Sequence, residues 1–242
     1  MDWNIRKPLT PFLEEIIRDI PGHTPVDQLH TLYCMVYLTQ PLPGDVLEIG
    51  SWCGRSTAVL GEAVRQSGSG RICCIDLFPA RNDWRQNPDG TYSFSVTIDG
   101  KTYGGYQDQK VWKEAFEQSM SRVYTKSNSV LEIFTDTMAQ RQLSHLIDIH
   151  RATSAVLETM PDRKFRLAFI DGDHSYDAVC TDIRNVQRRL VDGGWICFDD
   201  AFTDYDGVNG AITDLVINSG DFDLCQQMTR KFFVARKASH SR

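Results

Sequence analysis

Residues 45–57 read Asp-Val-Leu-Glu-Ile-Gly-Ser-Trp-Cys-Gly-Arg-Ser-Thr, and the fold follows from how this stretch divides. Val46, Leu47 and Ile49 form a short apolar run of the kind that makes a buried strand. Gly50 and Gly54 bracket a tight turn, and Ser56 is placed to cap a helix over 57–67. A strand, a glycine-bearing turn and a helix start together make a cradle: backbone N–H groups face a ligand, and glycine lets it come close. The same residues also read as an ordinary strand-to-helix turn with glycines for geometry alone. The spacing is Gly-x-x-x-Gly, where a nicotinamide site carries Gly-x-Gly-x-x-Gly. Glu48, two residues before the first glycine, would repel a pyrophosphate and attract an ammonium or sulfonium cation, which points to S-adenosylmethionine.

Outward from this stretch, strand-like and helix-like runs alternate. Strands are expected over 71–78, 146–150, 165–170 and 195–198, with helices over 111–123, 129–143, 154–160, 176–190 and 207–218 between and after them. Runs at 222–227 and 231–236 look like a closing antiparallel pair. This rhythm predicts an α/β fold, a parallel sheet covered on both faces with functional groups at the C-terminal strand ends. Ahead of the first strand, apolar spacing predicts two helices. One covers 11–20; the other opens at Thr24-Pro25 and runs to 40, with Val26, Leu29, Tyr33, Val36 and Tyr37 on one face. The expected organisation is a helical attachment over 1–43 and a cofactor-binding domain over 44–238. Residues 79–108 interrupt the rhythm, with room for one hairpin turning at Asp99-Gly100. Their aromatics (Trp84, Tyr92, Tyr103, Tyr106) suggest a flap that touches substrate.

The strand ends carry acid. Asp76 ends the second strand, where doubly wound nucleotide folds hold the adenosine ribose; a loop-capping aspartate is the plainer reading. Asp171 and Asp173 end the fourth strand, and Asp199 and Asp200 the fifth. Carboxylates brought side by side repel unless a cation sits between them, and Mg2+ suits such a set; a loop cap and a turn would also explain Asp200 and Asp171. His174, near the same tip, is suited to take a proton from a hydroxyl, although a lone histidine is also compatible with a structural role. His23, His30, His145, His150 and His240 show no such context.

A net charge of −6 argues against nucleic acid as a partner. The basic residues from 230 to 242 read as a solvated, frayed end. The seven cysteines are an odd number without a Cys-x-x-Cys pair, and several sit in apolar runs, so reduced thiols and a cytoplasmic location are expected. No leader and no membrane partner are expected, since no apolar run is long enough to span a bilayer. Homo-oligomerisation is compatible with the sequence.

Taken together, Glu48-Ile-Gly50-Ser-Trp-Cys-Gly54-Arg-Ser-Thr, Asp76, Phe169-Ile-Asp171-Gly-Asp-His174-Ser-Tyr and Gly193-Gly-Trp-Ile-Cys-Phe-Asp199-Asp200 with Gly207-Val208 resemble class I S-adenosylmethionine-dependent methyltransferases. The nearest type is the metal-dependent small-molecule O-methyltransferase of catechol and macrolide-sugar enzymes. The resemblance implies a Rossmann-like, seven-stranded, mostly parallel sheet with helices on both faces, an antiparallel C-terminal pair and two added N-terminal helices. It implies cofactor contacts from Glu48, Gly50, Ser51, Trp52, Gly54, Ser56, Thr57, Asp76, Leu77, Ala152, Thr153 and Asp171. It also implies Mg2+ on Asp171, Asp199 and Asp200, with Asp171 and His174 as the catalytic pair and a hydroxylated small molecule as acceptor. Two departures stand out. The catechol type uses a lysine in this region and none lies between 171 and 200, and the glycine loop lacks the common Gly-x-Gly-x-Gly form. The competing readings are a metal-independent methyltransferase, a nicotinamide oxidoreductase, which Glu48 opposes, and a non-catalytic cofactor-binding subunit.

Overall fold

Successive side chains on a strand point to opposite faces, so a run apolar at every position asks for cover on both sides. The apolar runs here receive it. The computed structural model describes residues 8–105, 110–160 and 162–239. Its strands are β1 (Asp45–Ile49), β2 (Ile72–Asp76), β3 (Trp84–Gln86), β4 (Tyr92–Ile98), β5 (Lys101–Gly105), β6 (Ile147–Arg151), β7 (Phe165–Ile170), β8 (Leu190–Phe198), β9 (Phe222–Gln227) and β10 (Phe233–Lys237). Seven of them form one sheet in the order β6-β2-β1-β7-β8-β10-β9. Pairing is parallel from β6 through β8, and β10 runs antiparallel to both its neighbours. This is the expected Rossmann-like sheet with its antiparallel C-terminal pair.

The helices are α1 (Leu9–Asp19), α2 (Val26–Thr39), α3 (Arg55–Ser67), α4 (Lys113–Ala115), α5 (Ser121–Val123), α6 (Val130–Gln140), α7 (Val156–Thr159), α8 (Tyr176–Gln187) and α9 (Asp206–Ile212). A π turn over Phe116–Met120 joins α4 to α5, and another over Thr213–Ile217 extends α9. Val46, Cys74, Leu167, Phe169 and Cys197 pack on one face with α1, α2, α3 and α6. Leu47, Cys73, Ile75, Ala168 and Ile196 pack on the other with α7, α8 and α9. Cys73 and Cys74 thus serve opposite cores as small hydrophobes, and all seven cysteines are free. No helix among the described residues is long and apolar enough to cross a membrane.

Three local expectations need correcting. The buried stripe of α2 is Leu29, Leu32, Met35 and Val36, while Val26 and Tyr37 are exposed. The hydroxyls of Tyr33 and Tyr37 instead donate to Gln66 Oε1 on α3, at 2.7 and 3.4 Å. The helix itself starts at Val26, after Pro25. The insertion does form the expected hairpin, turning at Asp99-Gly100 as β4 and β5, but β3 joins it to make a three-stranded sheet. Trp84 is interior to this sheet, against Phe94 and Phe116, and its Nε1 donates to the Tyr124 hydroxyl at 2.7 Å. It is therefore a packing residue; of the other aromatics in the insertion, Tyr92 stacks on Phe116 with ring centroids 3.9 Å apart, and Tyr106 lies outside the described residues.

Trp84→Ala is accordingly expected to cost about 3–5 kcal/mol of stability, the usual range for a large aromatic deleted from a core. Denaturant unfolding followed by fluorescence measures it, and a loss below about 1 kcal/mol would return Trp84 to the surface. A second expectation concerns Asp182 on α8. Burial raises its carboxyl to about 7, with the Ser154 hydroxyl opposing and Asp173 adding to the rise. The unfolded chain ionises near 4. Asp182 therefore weakens the fold increasingly as pH rises from about 4 to about 7, and the penalty stays in full above that. Asp182→Asn should match the parent at pH 4 and be more stable at pH 8 by on the order of 4 kcal/mol. Thermal melts at both pH values test this; the same difference at both would refute it.

Candidate active site

From β1 the chain passes outward to β2 and β6, then returns to β7 on the other side of β1. The reversal opens a crevice beyond the C-terminal ends of β1 and β7, where open α/β sheets take their ligands. The two strand exits touch there. Asp171 N donates to Ile49 O at 2.8 Å, and a Cβ on Gly50 would fall 1.8 Å from the Asp171 carbonyl oxygen at φ +89°. Only glycine fits that crossing.

On the β1 side, Glu48 is fully buried. Its Oε2 accepts from Ser51 Oγ at 2.6 Å and from Thr57 Oγ1, with the Cys74 thiol at 3.6 Å. The Ser56 hydroxyl also bears on this carboxylate. Helix α3 starts one residue after Gly54, so Ser56 sits in its first turn facing Glu48 and does not cap it. Burial lifts the Glu48 carboxyl above its ordinary range against these hydroxyls, and Oε1 has no hydrogen-bond partner among the described residues. Asp76 Oδ2 accepts from Trp52 N at 2.9 Å and Oδ1 from Phe78 N at 2.5 Å. The Ser51 amide bears on it as well. Asp76 therefore does cap the loop, and three donors leave the carboxylate with one lone pair for a ligand. Ala152 N donates to Asp76 O at 3.1 Å, and Leu77 O accepts from Arg151 Nε at 3.1 Å. Asp76, Leu77, Ala152 and Thr153 thereby share one rim of the crevice.

On the β7–β8 side, Asp171, Asp199, Asp200 and His174 converge as expected, but their partners differ from expectation. Asp199 Oδ1 accepts from Gln28 Nε2 at 2.5 Å and from Asp200 N at 2.7 Å. Its Oδ2 faces Lys231 Nζ at 3.0 Å, and Lys231 Nζ also reaches Asp200 Oδ1 at 2.9 Å. Asp200 Oδ2 lies 3.2 Å from His174 Nε2. The tip after β7 is held from behind by α9: a Cβ on Gly207 would meet the His174 carbonyl oxygen at 2.4 Å. Tyr205 lies against the imidazole with ring centroids 4.2 Å apart.

The electrostatics follow from this packing. Burial drives the Asp171 carboxyl well above its ordinary range, and the charges of Asp199 and Asp200 add to it. Burial also pushes Asp200 upward, but bonds from His174 and Lys231 outweigh it and hold that carboxyl below its usual value. Burial alone would lower the Lys231 ammonium, yet Asp199 and Asp200 keep it firmly charged.

Sequence reasoning missed three neighbours. Gln28 comes from α2 and Lys231 from the turn between β9 and β10, each far along the chain from the acids it serves. His23 stacks on Trp52 with centroids 5.5 Å apart and feels the charges of Lys231, Asp200 and Asp199. Burial, then Arg55, lower its pKa. For Gln28 a usable signal existed: a polar residue in the first turn of the helix, in line with the apolar stripe. For Lys231 there was none, because a short basic run near a chain end looks like solvated surface. Backbone φ is positive at Trp52 (42°), Phe78 (45°), Asp200 (55°) and Phe202 (58°), all around the C-terminal sheet edge.

The Mg2+ expected on Asp171, Asp199 and Asp200 meets a poor fit. Both Asp199 oxygens are already engaged, as described. The ligand atoms that do lie within 4.8 Å of one another, among the described residues, belong to Asp171, His174 and Asp200. An imidazole in the set is a donor that Mg2+ does not favour, and the Lys231 ammonium already stands between Asp199 and Asp200.

Comparison with known proteins agrees with this architecture. The O-methyltransferase NovP superposes with a TM-score of 0.64 at 15% identity, over 90% of this chain and 83% of NovP. The O-methyltransferase from Bacillus cereus, in complex with SAH, gives 0.58 at 15%, over 98% and 94%. TomG from Streptomyces achromogenes, an O-methyltransferase involved in tomaymycin synthesis and in complex with SAM, gives 0.56 at 17%, over 97% and 92%. At such identities the likeness establishes the fold. Residues 47–201, from β1 to just past the second acidic strand end, match the family described as the methyltransferase domain, and the chain belongs to that family.

Proposed function

We propose that the protein moves a methyl group from S-adenosylmethionine to a hydroxyl oxygen of a small molecule. The observation that carries this reading is the pairing, across one crevice, of a glycine-turn cradle around Glu48 with an Asp200–His174 pair. The names of NovP, TomG and the Bacillus cereus enzyme, all O-methyltransferases, support the oxygen acceptor, and SAM or SAH in two of them supports the cofactor. Seven free cysteines suit a reducing compartment and support a cytoplasmic location.

The cradle suits a cationic ligand. Glu48 Oε1 is a buried oxygen without a partner among the described residues, and a buried acceptor left unpaired is costly enough to favour a donor such as an ammonium. Asp76 offers its spare lone pair to a ribose hydroxyl, and Ala152 and Thr153 border the adenine. When bound, S-adenosylmethionine supplies a methyl carbon on a sulfonium, which leaves as a neutral thioether once the carbon is attacked. The protein's own work is to line up the acceptor oxygen and relieve it of its proton. The ring nitrogen of His174 that does not face Asp200 takes that proton. Nε2 keeps its own hydrogen on Asp200 Oδ2, 3.2 Å away, whose charge steadies the imidazolium. Tyr205 and the start of α9 at Gly207 keep the ring from turning away.

Two measurements test this. Titration calorimetry should show S-adenosylhomocysteine binding and none of NAD; Asp76→Ala should weaken the former by about 2 kcal/mol, and tight NAD binding would refute the reading. With an acceptor found by screening hydroxylated small molecules, His174→Ala should lower kcat roughly a hundredfold while leaving S-adenosylhomocysteine affinity intact. Unchanged turnover in that variant would remove His174 as the base.

A further inference from the structure

We propose that Lys231 is the built-in cation of this active site: it stands where a divalent ion would have to bridge Asp199 and Asp200, so the site works without metal. The inference rests on the methyl-transfer reading for its purpose but on separate observations for its content. The ammonium lies within 3.0 Å of Asp199 Oδ2 and 2.9 Å of Asp200 Oδ1, bridging the two carboxylates as a metal would. Its side chain is only 14% exposed, and a charge so far out of water persists only when paired.

The lysine is also held there by its backbone. Ala201, directly after the acidic pair, donates its N–H to Lys231 O at 3.0 Å. The next residue, Phe232, is fully buried against Phe169 of β7. Gln227 Nε2 braces the turn through Thr229 O at 2.9 Å and ties it to the β8 exit through Ala201 O at 3.4 Å. The turn between β9 and β10 is therefore fastened to the β8 exit on both sides of Lys231, and the side chain has little choice of direction. Gln28 Nε2 fills the remaining face of Asp199. A divalent ion placed between Asp199 and Asp200 would face an ammonium at close range, and like charges that near repel strongly.

Lys231 then acts as a positioning residue. By holding Asp200 through Oδ1, it leaves Oδ2 aimed at His174 Nε2. Removing the lysine should have two effects that a merely structural role would not combine. The carboxylates should become a metal site, and turnover should fall through kcat with KM for the cofactor unchanged.

Mn2+ serves as the probe, read by electron paramagnetic resonance on the full chain without acceptor or cofactor. That makes the result independent of whether methyl transfer is the right activity. The parent protein should bind no Mn2+ at 1:1 below millimolar levels, whereas Lys231→Met should bind it at least tenfold more tightly. With an acceptor in hand, EDTA should leave parental turnover unchanged, Lys231→Met should lower kcat tenfold or more, and Lys231→Arg should restore much of it. Stoichiometric micromolar Mn2+ binding by the parent would overturn the proposal, as would turnover lost in EDTA and restored by Mg2+. Either result would place the metal on Asp171, His174 and Asp200 beside the lysine. If Lys231→Met does not fold, the parental Mn2+ titration decides alone.

Discussion

Carrying several carboxylates out of water at one edge of a sheet is the constraint around which this molecule is arranged. An isolated buried carboxylate is so unfavourable that it must find donors or give up its charge. Each acid here draws donors from a different part of the chain. Glu48 gathers Ser51, Ser56 and Thr57 from its own loop and helix. Asp76 takes the amides of Trp52 and Phe78. Asp199 is reached by α2 through Gln28 and by the last hairpin through Lys231, and Asp200 shares that lysine with Asp199 and also holds His174. The N-terminal helices, the glycine turn and the C-terminal hairpin therefore converge on one crevice for a common electrostatic reason.

That arrangement also ties the packing of the helices to the chemistry. Helix α2 looks like cover for the sheet, and Leu29, Leu32 and Val36 act as such. Its first turn nevertheless delivers Gln28 to Asp199, and Arg55 at the start of α3 donates to Ile17 O, Ile20 O and Thr24 O, fixing the segment that carries His23. An error in seating these helices would be felt at the carboxylates without any change in them.

Much of this was legible in the sequence. The central strands were visible as mostly apolar runs, and three of their functional ends because an acid closes the run: Asp76, Asp171, Asp199. His174 was visible because it follows such an end. What could not be read was the partner of each charge. Lys231 is bonded to residues about thirty positions earlier in the chain, and Gln28 to one 171 positions later; no local pattern encodes either pairing. Trp84 failed for a related reason. An aromatic in a polar, glycine-bearing insertion looks exposed until β3, β4 and the π turn close around it. The face of α2 was misjudged because Tyr33 and Tyr37 read as apolar by composition, while their hydroxyls prefer Gln66 at the boundary.

The left-handed backbone at Asp200 limits how this site can diverge. A φ of 55° is comfortable for glycine, tolerable for asparagine and aspartate, and hostile to β-branched residues. Position 200 thus has a short alphabet, and within it only aspartate carries charge. Lys231 and Gln28 sit on ordinary backbone at the ends of other elements, where many side chains are admissible. Inherited variation in the chemistry of this crevice is therefore channelled away from the residue that does most to define it and into the distant residues that hold it. Descendants of this sequence would keep the acid and trade its companions.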